Sequence, residues 1–225
     1  MITTGQWLGQ NSDHLLPIEP PHKLEAQTCQ QFLIMQQAAG QAGVNISIAS
    51  SHRDFSRQLG IWNQKWQGLK PLYSPQGAVL KFHTLSEEQK LHAILTWSAL
   101  PGASRHHWGT DLDIYDPQAI KRCGQTLQLV SEEYAPGGPC HQLALWLIDN
   151  AQDYGFYLPY AQYAGGVAAE PWHISYRPLA LKIEQQLQLK SLQSVIELAD
   201  IKGKSCILNN LEMIFLRYTL NKGTP

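Results

Sequence analysis

The segment SRHHWGTDLDIYD, Ser104–Asp116, carries two adjacent histidines, a glycine and three aspartates, and otherwise has the pattern of the beginning of a β-strand. A second segment, AEPWHISY, also has a strand pattern and places Glu170 three residues before His173. A catalytic zinc site typically takes three nitrogen or oxygen ligands from the protein and leaves a fourth position for water. It also needs a carboxylate outside the ligand set as general base. Together the two segments supply such a set.

Spacing alone leaves the assignment within these segments open. It does not choose between His106 and His107, or among the aspartates. Histidines and aspartates at strand ends also occur as ordinary surface, core or capping residues, so the alternative is that these segments form no metal site. Two histidines and a carboxylate also bind iron in non-haem oxygenases, but the histidine-x-carboxylate pairing typical of those enzymes is absent from Ser104–Asp116.

Composition restricts the class of protein. The chain has 225 residues, 44% of them hydrophobic, which suits one large domain, or one domain with an appendage, around a substantial core. The formal net charge is −1, from 17 basic and 18 acidic residues, and this balance argues against a nucleic-acid-binding surface.

The cysteines predict reduced thiols and no zinc ribbon. Cys29, Cys123, Cys140 and Cys206 lie far apart and form no C-x-x-C pair. A disulfide between Cys123 and Cys140 is the alternative in an oxidising compartment.

The N-terminal segment MITTGQWLGQNSDHLLP has neither the basic nor the apolar region of a signal peptide. No run approaches the roughly 20 apolar residues that a membrane span needs. As written, the sequence predicts a soluble cytoplasmic protein without a membrane span; a periplasmic or exported location is expected if a leader has been removed.

Hydrophobic periodicity predicts alternating helices and strands. The segment LEAQTCQQFLIMQQAAGQAG favours a helix and VNISIASSHR a half-buried strand, followed by a helix from Asp54 to about Gly68. Ser86 and Gln89 form a capping box that begins another helix. The intervening segment 68–85 has no clear period, which is typical of a functional loop such as a lid, or of an ordinary loop. HQLALWLIDNAQDYG predicts a further helix that Gly155 closes.

The motifs resemble those of a known family. SRHHWGTDLD fits the pattern S-x-H-x-x-G-x-x-x-D, and EPWH fits E-x-x-H with an aromatic residue before the histidine. In both, the chain resembles the VanY-type D-alanyl-D-alanine carboxypeptidases, a branch of the zinc peptidases that includes lysostaphin-type enzymes and the hedgehog signalling domain. Upstream, SSHRDFSRQ is similar to the family segment S-G-Y-R-S-x-x-x-Q. The resemblance covers roughly Ile46 to Tyr176.

Carried over by position, the resemblance implies one zinc ion held by His106, Asp113 and His173, with Glu170 as catalytic base. Arg53 would be a second catalytic residue, which contacts the substrate and its developing oxyanion; it could instead bind the free C-terminal carboxylate.

The resemblance also sorts the other polar residues. Gln58 and Ser104 are expected to bind substrate by lining the site. His107 falls outside the motif register, and Asp111 stands where relatives usually carry alanine. We therefore predict no part in the site for His107, Asp111 and Asp116.

The predicted fold is α+β: a small, mainly antiparallel sheet that bears the zinc site and is flanked by helices. Residues 1–177 would form the zinc peptidase domain. Apolar stripes beyond Arg177 predict a helical C-terminal extension, residues 178–225, that packs on this domain or on a partner chain.

The function that the resemblance implies is a zinc-dependent carboxypeptidase of the bacterial cell wall. It would release the terminal alanine from peptidoglycan stem peptides or their precursors, at a D-Ala-D-Ala or an L,D-type bond. One alternative is an endopeptidase of peptidoglycan cross-links. Another is a non-catalytic, zinc-stabilised binding module, against which Glu170 and Arg53 argue, because a structural site needs no general base.

Overall fold

The computed structural model describes residues 2–223, which form a mixed α+β fold. Within this range the strands are β1 (Leu15–Pro17), β2 (Lys23–Glu25), β3 (Ser47–Ser50), β4 (Asp111–Tyr115), β5 (Phe156–Tyr157) and β6 (His173–Tyr176). The α-helices are α1 (Thr4–Trp7), α2 (Ala26–Gln41), α3 (Phe55–Trp66), α4 (Glu87–Trp97), α5 (Pro117–Arg122), α6 (Ser131–Tyr134), α7 (His141–Asn150), α8 (Arg177–Glu184), α9 (Leu189–Leu198), α10 (Lys204–Asn209) and α11 (Leu211–Ile214). Short 3₁₀ turns span Phe82–Thr84, Arg105–His107 and Ala151–Tyr154, and a π-helical turn spans Phe215–Thr219.

The central sheet is small and antiparallel, as the sequence predicts. Its strand order is β3-β4-β6-β5, and β1 pairs with β2 in a separate ribbon. Each neighbouring pair in the central sheet is antiparallel. Because side chains alternate along a strand, Leu112 and Ile114 of β4 enter an apolar cluster shared with α2 and α7. Asp111 and Asp113 therefore point to the opposite face.

A β-bulge interrupts the pairing of β3 with β4. Ile48 pairs with Ile114, and the next pair joins Ser50 to Asp113, so Ala49 is the extra residue. Bulges bend a strand and redirect its ends, often beside functional sites. Here the bulge precedes Ser51 and Arg53, both of which reach the residues of the candidate site.

Local sequence signals set several helix boundaries. The Asp54 side chain accepts a hydrogen bond from the backbone N–H of Arg57 at the start of α3. Ser86 and Gln89 form the predicted capping box of α4. Gly155 follows α7 and a 3₁₀ turn with φ of 79°, a left-handed conformation that glycine adopts without steric cost. These three predictions are confirmed.

The segment 68–85 is anchored to the domain. Leu72 is buried in the helical cluster, and Trp97 Nε1 donates to the Ser74 carbonyl at 2.9 Å. Tyr73 and Val79 form an isolated antiparallel bridge.

The helices beyond Arg177 share a hydrophobic cluster with α3 and α4. Ile183, Leu192 and Ile207 are buried in the same cluster as Trp62 and Leu91. The division into a domain of residues 1–177 and an extension of residues 178–225 stays a prediction. None of the helices within residues 2–223 is long and apolar enough to cross a membrane. The thiols in this range are free, with Cys123 exposed and Cys140 buried.

Candidate metal centre

Three predicted ligands meet on the polar face of the central sheet. Asp113 of β4 and His173 of β6 are direct partners in the strand ladder. His106 comes from the 3₁₀ turn that precedes β4. One potential ligand atom from each residue lies within 4.8 Å of the others, and all three side chains are buried. The two strands and the turn thus assemble His106, Asp113 and His173 into one cluster.

Hydrogen bonds decide which nitrogen each imidazole presents to the cluster. His106 Nδ1 lies 2.8 Å from the carbonyl of Ser51, to which it donates, so Nε2 faces Asp113 Oδ2 at 3.4 Å. His173 Nε2 lies 2.9 Å from Asp111 Oδ1, so Nδ1 faces Asp113 Oδ1 at 3.1 Å. Metal-binding histidines are usually held by such a bond from the nitrogen that does not bind the metal.

The cluster has the properties of a cation site. Among the described residues, His173 Nδ1 and Asp113 Oδ1 are buried atoms without a hydrogen-bonding partner, since their approach lacks the required geometry. Burial opposes ionisation of Asp113, but His106 and His173 outweigh it and lower its pKa. Burial likewise opposes protonation of His173, yet Asp111 and Asp113 raise its pKa to about 9. Two imidazole nitrogens and a carboxylate oxygen are donors that suit zinc, so the residues present fit the ion.

Glu170 stands beside this cluster. Its Oε2 lies 3.5 Å from His173 Nδ1, and its backbone carbonyl accepts from the His173 N–H at 3.1 Å. Burial raises the pKa of Glu170 to about 7. A carboxyl group that titrates near neutral pH can both accept and return a proton. The position of Glu170 therefore suits a general base.

Arg53 also approaches the cluster, and Gln58 binds its guanidinium. Arg53 Nη2 lies 3.8 Å from Asp113 Oδ2, and Nη1 donates to Gln58 Oε1 at 3.1 Å. Gln58 is fully buried, and its Nε2 donates to the Ala99 carbonyl at 2.8 Å. Both ends of the Gln58 amide are thus bound to protein atoms. Gln58 thus contacts Arg53, and its predicted part in binding substrate stays a prediction.

A cavity of about 50 Å³ opens onto these groups. Its walls include Arg53, Glu170 and Ser104, together with the cluster residues His106 and His173. Ser104 thus lines the cavity, and its predicted part in binding substrate stays a prediction. Tyr218 and Thr219, from the π-helical turn, complete part of the wall.

Asp111 contacts the candidate ligand His173, which corrects the prediction that it has no part in the site. It is fully buried, and its carboxylate contacts both His173 and Arg105, the latter at 2.7 Å. The strand period supplies the signal that could have identified it, because Asp111 and Asp113 lie two residues apart and share one face. Arg105, also absent from the predicted site, pairs with it.

His107 and Asp116 lie outside the cluster, as predicted, but both have structural contacts. His107 is fully buried; its Nδ1 donates to the Arg53 carbonyl at 2.6 Å and its Nε2 accepts from the Gly102 N–H at 3.1 Å. Burial lowers the pKa of His107 to about 3. The Asp116 side chain accepts from the Ala119 N–H and caps α5.

Comparison with protein families gives one match over most of the chain. The family model described as VanY: D-alanyl-D-alanine carboxypeptidase matches residues 21–179. This range includes each of the predicted site residues. The C-terminal helices α9, α10 and α11 lie beyond it.

Two curated relatives are uncharacterized proteins of Haemophilus influenzae. One is 41% identical over 125 residues, which are 55% of this chain and 95% of that protein. The other is 38% identical over 103 residues, which are 44% of this chain and 70% of that protein.

Solved structures share the fold at low sequence identity. A mutant of the vancomycin-resistance D,D-pentapeptidase VanY in complex with Zn(II) has a TM-score of 0.53 and 23% identity, covering 77% of this chain and 85% of that one. VanYB in complex with D-alanine-D-alanine has a TM-score of 0.54 and 23% identity, covering 82% and 90%. The LdcB LD-carboxypeptidase has a TM-score of 0.52 and 19% identity, covering 91% and 78%.

Proposed function

Because the chain belongs to the VanY D-alanyl-D-alanine carboxypeptidase family, we propose that it is a zinc-dependent carboxypeptidase that removes the terminal alanine from peptidoglycan stem peptides. His106, Asp113 and His173 would hold one zinc ion. Glu170 and Arg53 would be the catalytic residues, and Ser104 would line the substrate cavity.

One observation carries this proposal: a carboxylate whose side chain is only 13% exposed stands next to the ligand cluster without belonging to it. Glu170 Oε2 is 3.5 Å from His173 Nδ1 and faces the same cavity as Arg53. A structural zinc site is closed by a fourth protein ligand and has no use for a general base. The position of Glu170 therefore favours an enzyme over a non-catalytic binding module.

The chemistry that zinc would supply here is Lewis acidity, which polarises a peptide carbonyl and lowers the pKa of water. Glu170 would take the proton of the attacking water and return it to the departing amine. Arg53 keeps its charge at physiological pH. Its guanidinium can stabilise the developing oxyanion or bind the terminal carboxylate of the peptide.

The cavity offers a place for the terminal residue of a peptide. Arg53 and Glu170 both line it, so a residue bound there would lie beside the proposed catalytic groups. The neighbours of the same fold include a complex with D-alanine-D-alanine and an LD-carboxypeptidase. We therefore propose an alanine at the released position, preceded by either a D- or an L-centre.

The central test is Glu170→Gln, which keeps the shape of the side chain and removes its basicity. We expect kcat on an alanine-terminated stem peptide to fall about 10²- to 10⁴-fold, the usual contribution of general acid–base catalysis. Zinc content, measured by atomic absorption, should stay that of the wild type. Glu197→Gln, at an exposed glutamate of α9, serves as the matched control. Retained turnover in Glu170→Gln would contradict the assigned mechanism.

A panel of defined substrates separates the enzymatic alternatives. The zinc-loaded protein is incubated with stem tetrapeptide, stem pentapeptide and a cross-linked dimer, and products are identified by mass. Loss of a single alanine from the linear peptides supports the carboxypeptidase. Cleavage of the dimer alone would establish the endopeptidase, and bound zinc without any product would establish the binding module.

A further inference from the structure

A continuous chain of polar contacts, buried except at its Glu184 end, runs from helix α8 to the candidate ligand His173. It begins at Glu184, passes through Arg105 and Asp111, and ends at the imidazole. Glu184 lies outside the range that the family model matches. We propose that Asp111, Arg105 and Glu184 are positioning residues for zinc binding, so that α8 contributes to the metal affinity of the site. This inference rests on the proposed zinc site.

The first link fixes the imidazole. A histidine that binds a metal is neutral, and the proton on its other nitrogen needs an acceptor. Asp111 Oδ1 lies 2.9 Å from His173 Nε2 and supplies that acceptor. The imidazole is thereby held with Nδ1 toward Asp113 and Glu170. Rotation of the ring would break this buried bond and turn Nδ1 away from Asp113.

The second link fixes the Asp111 carboxylate. Its Oδ1 also accepts from Arg105 Nε at 2.7 Å, and its Oδ2 accepts from Thr110 Oγ1 at 2.6 Å and from Ser175 Oγ at 3.0 Å. Asp111 is fully buried. A buried carboxylate is stable only when it is paired and its lone pairs are satisfied. These four contacts leave it a single orientation.

The third link carries the chain to α8. Arg105 Nη1 donates to the Glu184 carboxylate, while Nη2 donates to Tyr157 Oη at 2.9 Å and to Ser175 Oγ at 2.8 Å. Arg105 is buried, whereas the Glu184 side chain is 28% exposed. The carboxylates of Asp111 and Glu184 therefore share one guanidinium. Glu184 helps to hold the planar guanidinium of Arg105 in the orientation in which its Nε donates to Asp111.

Zinc affinity measured by chelator competition, without substrate, tests the proposal. We expect Asp111→Asn to weaken zinc binding about 10- to 100-fold, the usual effect of removing a partner of a metal-binding histidine. Glu184→Gln, at the partly exposed end of the chain, should weaken it by a smaller factor. The double variant should lose less than the product of the two factors, because the effect of Glu184 on His173 passes through Arg105 and Asp111 and is already reduced in Asp111→Asn. Glu197→Gln, an exposed glutamate of the neighbouring helix α9, should bind zinc like the wild type.

The visible spectrum of the cobalt-substituted protein adds a readout that a merely structural role would not change. A displaced His173 alters the ligand field, so the bands of Asp111→Asn should shift relative to the wild type. If Asp111→Asn does not fold, by circular dichroism, Glu184→Gln alone decides. Wild-type zinc affinity in a folded Asp111→Asn or Glu184→Gln protein overturns the inference. Absence of peptidase activity in the wild type would instead overturn the proposed function and leave these affinities unaffected.

Discussion

The adjacent residues His106 and His107 make different kinds of contact. His106 presents Nε2 to the ligand cluster, whereas both nitrogens of His107 bind backbone groups of other segments. They are consecutive residues of a 3₁₀ turn, so their side chains point in different directions from it. Residue type alone could not show which histidine is the ligand, because the two side chains differ in the direction in which they point and not in their chemistry.

Replacing each histidine in turn tests this division. His106→Gln should lower zinc affinity more than about 100-fold. That factor is the usual upper limit for mutating a residue that only hydrogen-bonds to a metal ligand. His107→Gln should retain zinc and leave at least one of two buried backbone groups unpaired, which costs about 1–3 kcal/mol of the free energy of unfolding. Chelator competition and urea denaturation measure the two effects. Loss of zinc from His107→Gln, and not from His106→Gln, would contradict the assignment.

At the residue scale, sequence predicts the groups that a motif names and misses those that only packing creates. His106, Asp113, His173 and Glu170 follow from the motif register, and the structure brings them together. Gln58 is different, because its position behind Arg53 depends on the carbonyl of Ala99, 41 residues away. Arg105 and Glu184 are likewise 79 residues apart, and no local pattern predicts such a contact.

At the element scale, Gly109 joins the turn that carries His106 to strand β4. Its φ is 76°, and a Cβ there would lie 2.2 Å from Leu15 Cδ2 and 3.0 Å from the backbone nitrogen of Glu25. The glycine thus allows both the left-handed conformation and the close approach of the β1–β2 ribbon.

We expect Gly109→Ala to lower the free energy of unfolding by at least about 1–3 kcal/mol, the cost of a strained backbone conformation. Zinc affinity should fall as well, since the strain lies between His106 and Asp113. The control is Gly40→Ala in α2, where a Cβ meets no atom within 4 Å. That change should stabilise the helix by about 0.5–1 kcal/mol. Equal stability of the two variants in urea denaturation would refute the steric argument.

The elements themselves follow largely from local signals. Caps and left-handed glycines predict where α3 and α4 begin and where the turn after α7 ends. The strands are shorter than the apolar alternation suggests: β3 covers Ser47–Ser50, although the pattern begins at Val44. Strand length depends on which partner residues are available for pairing, and Ser47 already pairs with Tyr115, the last residue of β4.

At the scale of the whole molecule, the ligand cluster couples metal binding to stability. A ligand that binds only the folded state stabilises it by about 2.7 kcal/mol at a concentration 100 times its Kd. For a chain of this size, about 1 kcal/mol corresponds to a shift in Tm of about 2–4 °C. Asp113 Oδ1 and His173 Nδ1 are buried without a hydrogen-bonding partner among the described residues, so a bound cation would supply a partner for both.

Removing zinc with a chelator should therefore lower the Tm of the wild type by about 5–10 °C, as measured by calorimetry. His106→Gln should show a much smaller change, because it binds the ion weakly before the chelator is added. Re-addition of zinc should restore the wild-type Tm. A Tm that does not respond to the chelator would contradict a zinc site in this cluster.

The two faces of β4 have a further consequence for how such a protein can change over time. Leu112 and Ile114 pack into the apolar cluster, while Asp111 and Asp113 serve the polar face. Substitutions on one face leave the side chains of the other in place. Selection can therefore alter the metal chemistry of this scaffold, or its preference among peptides, without repacking the core that holds the sheet together.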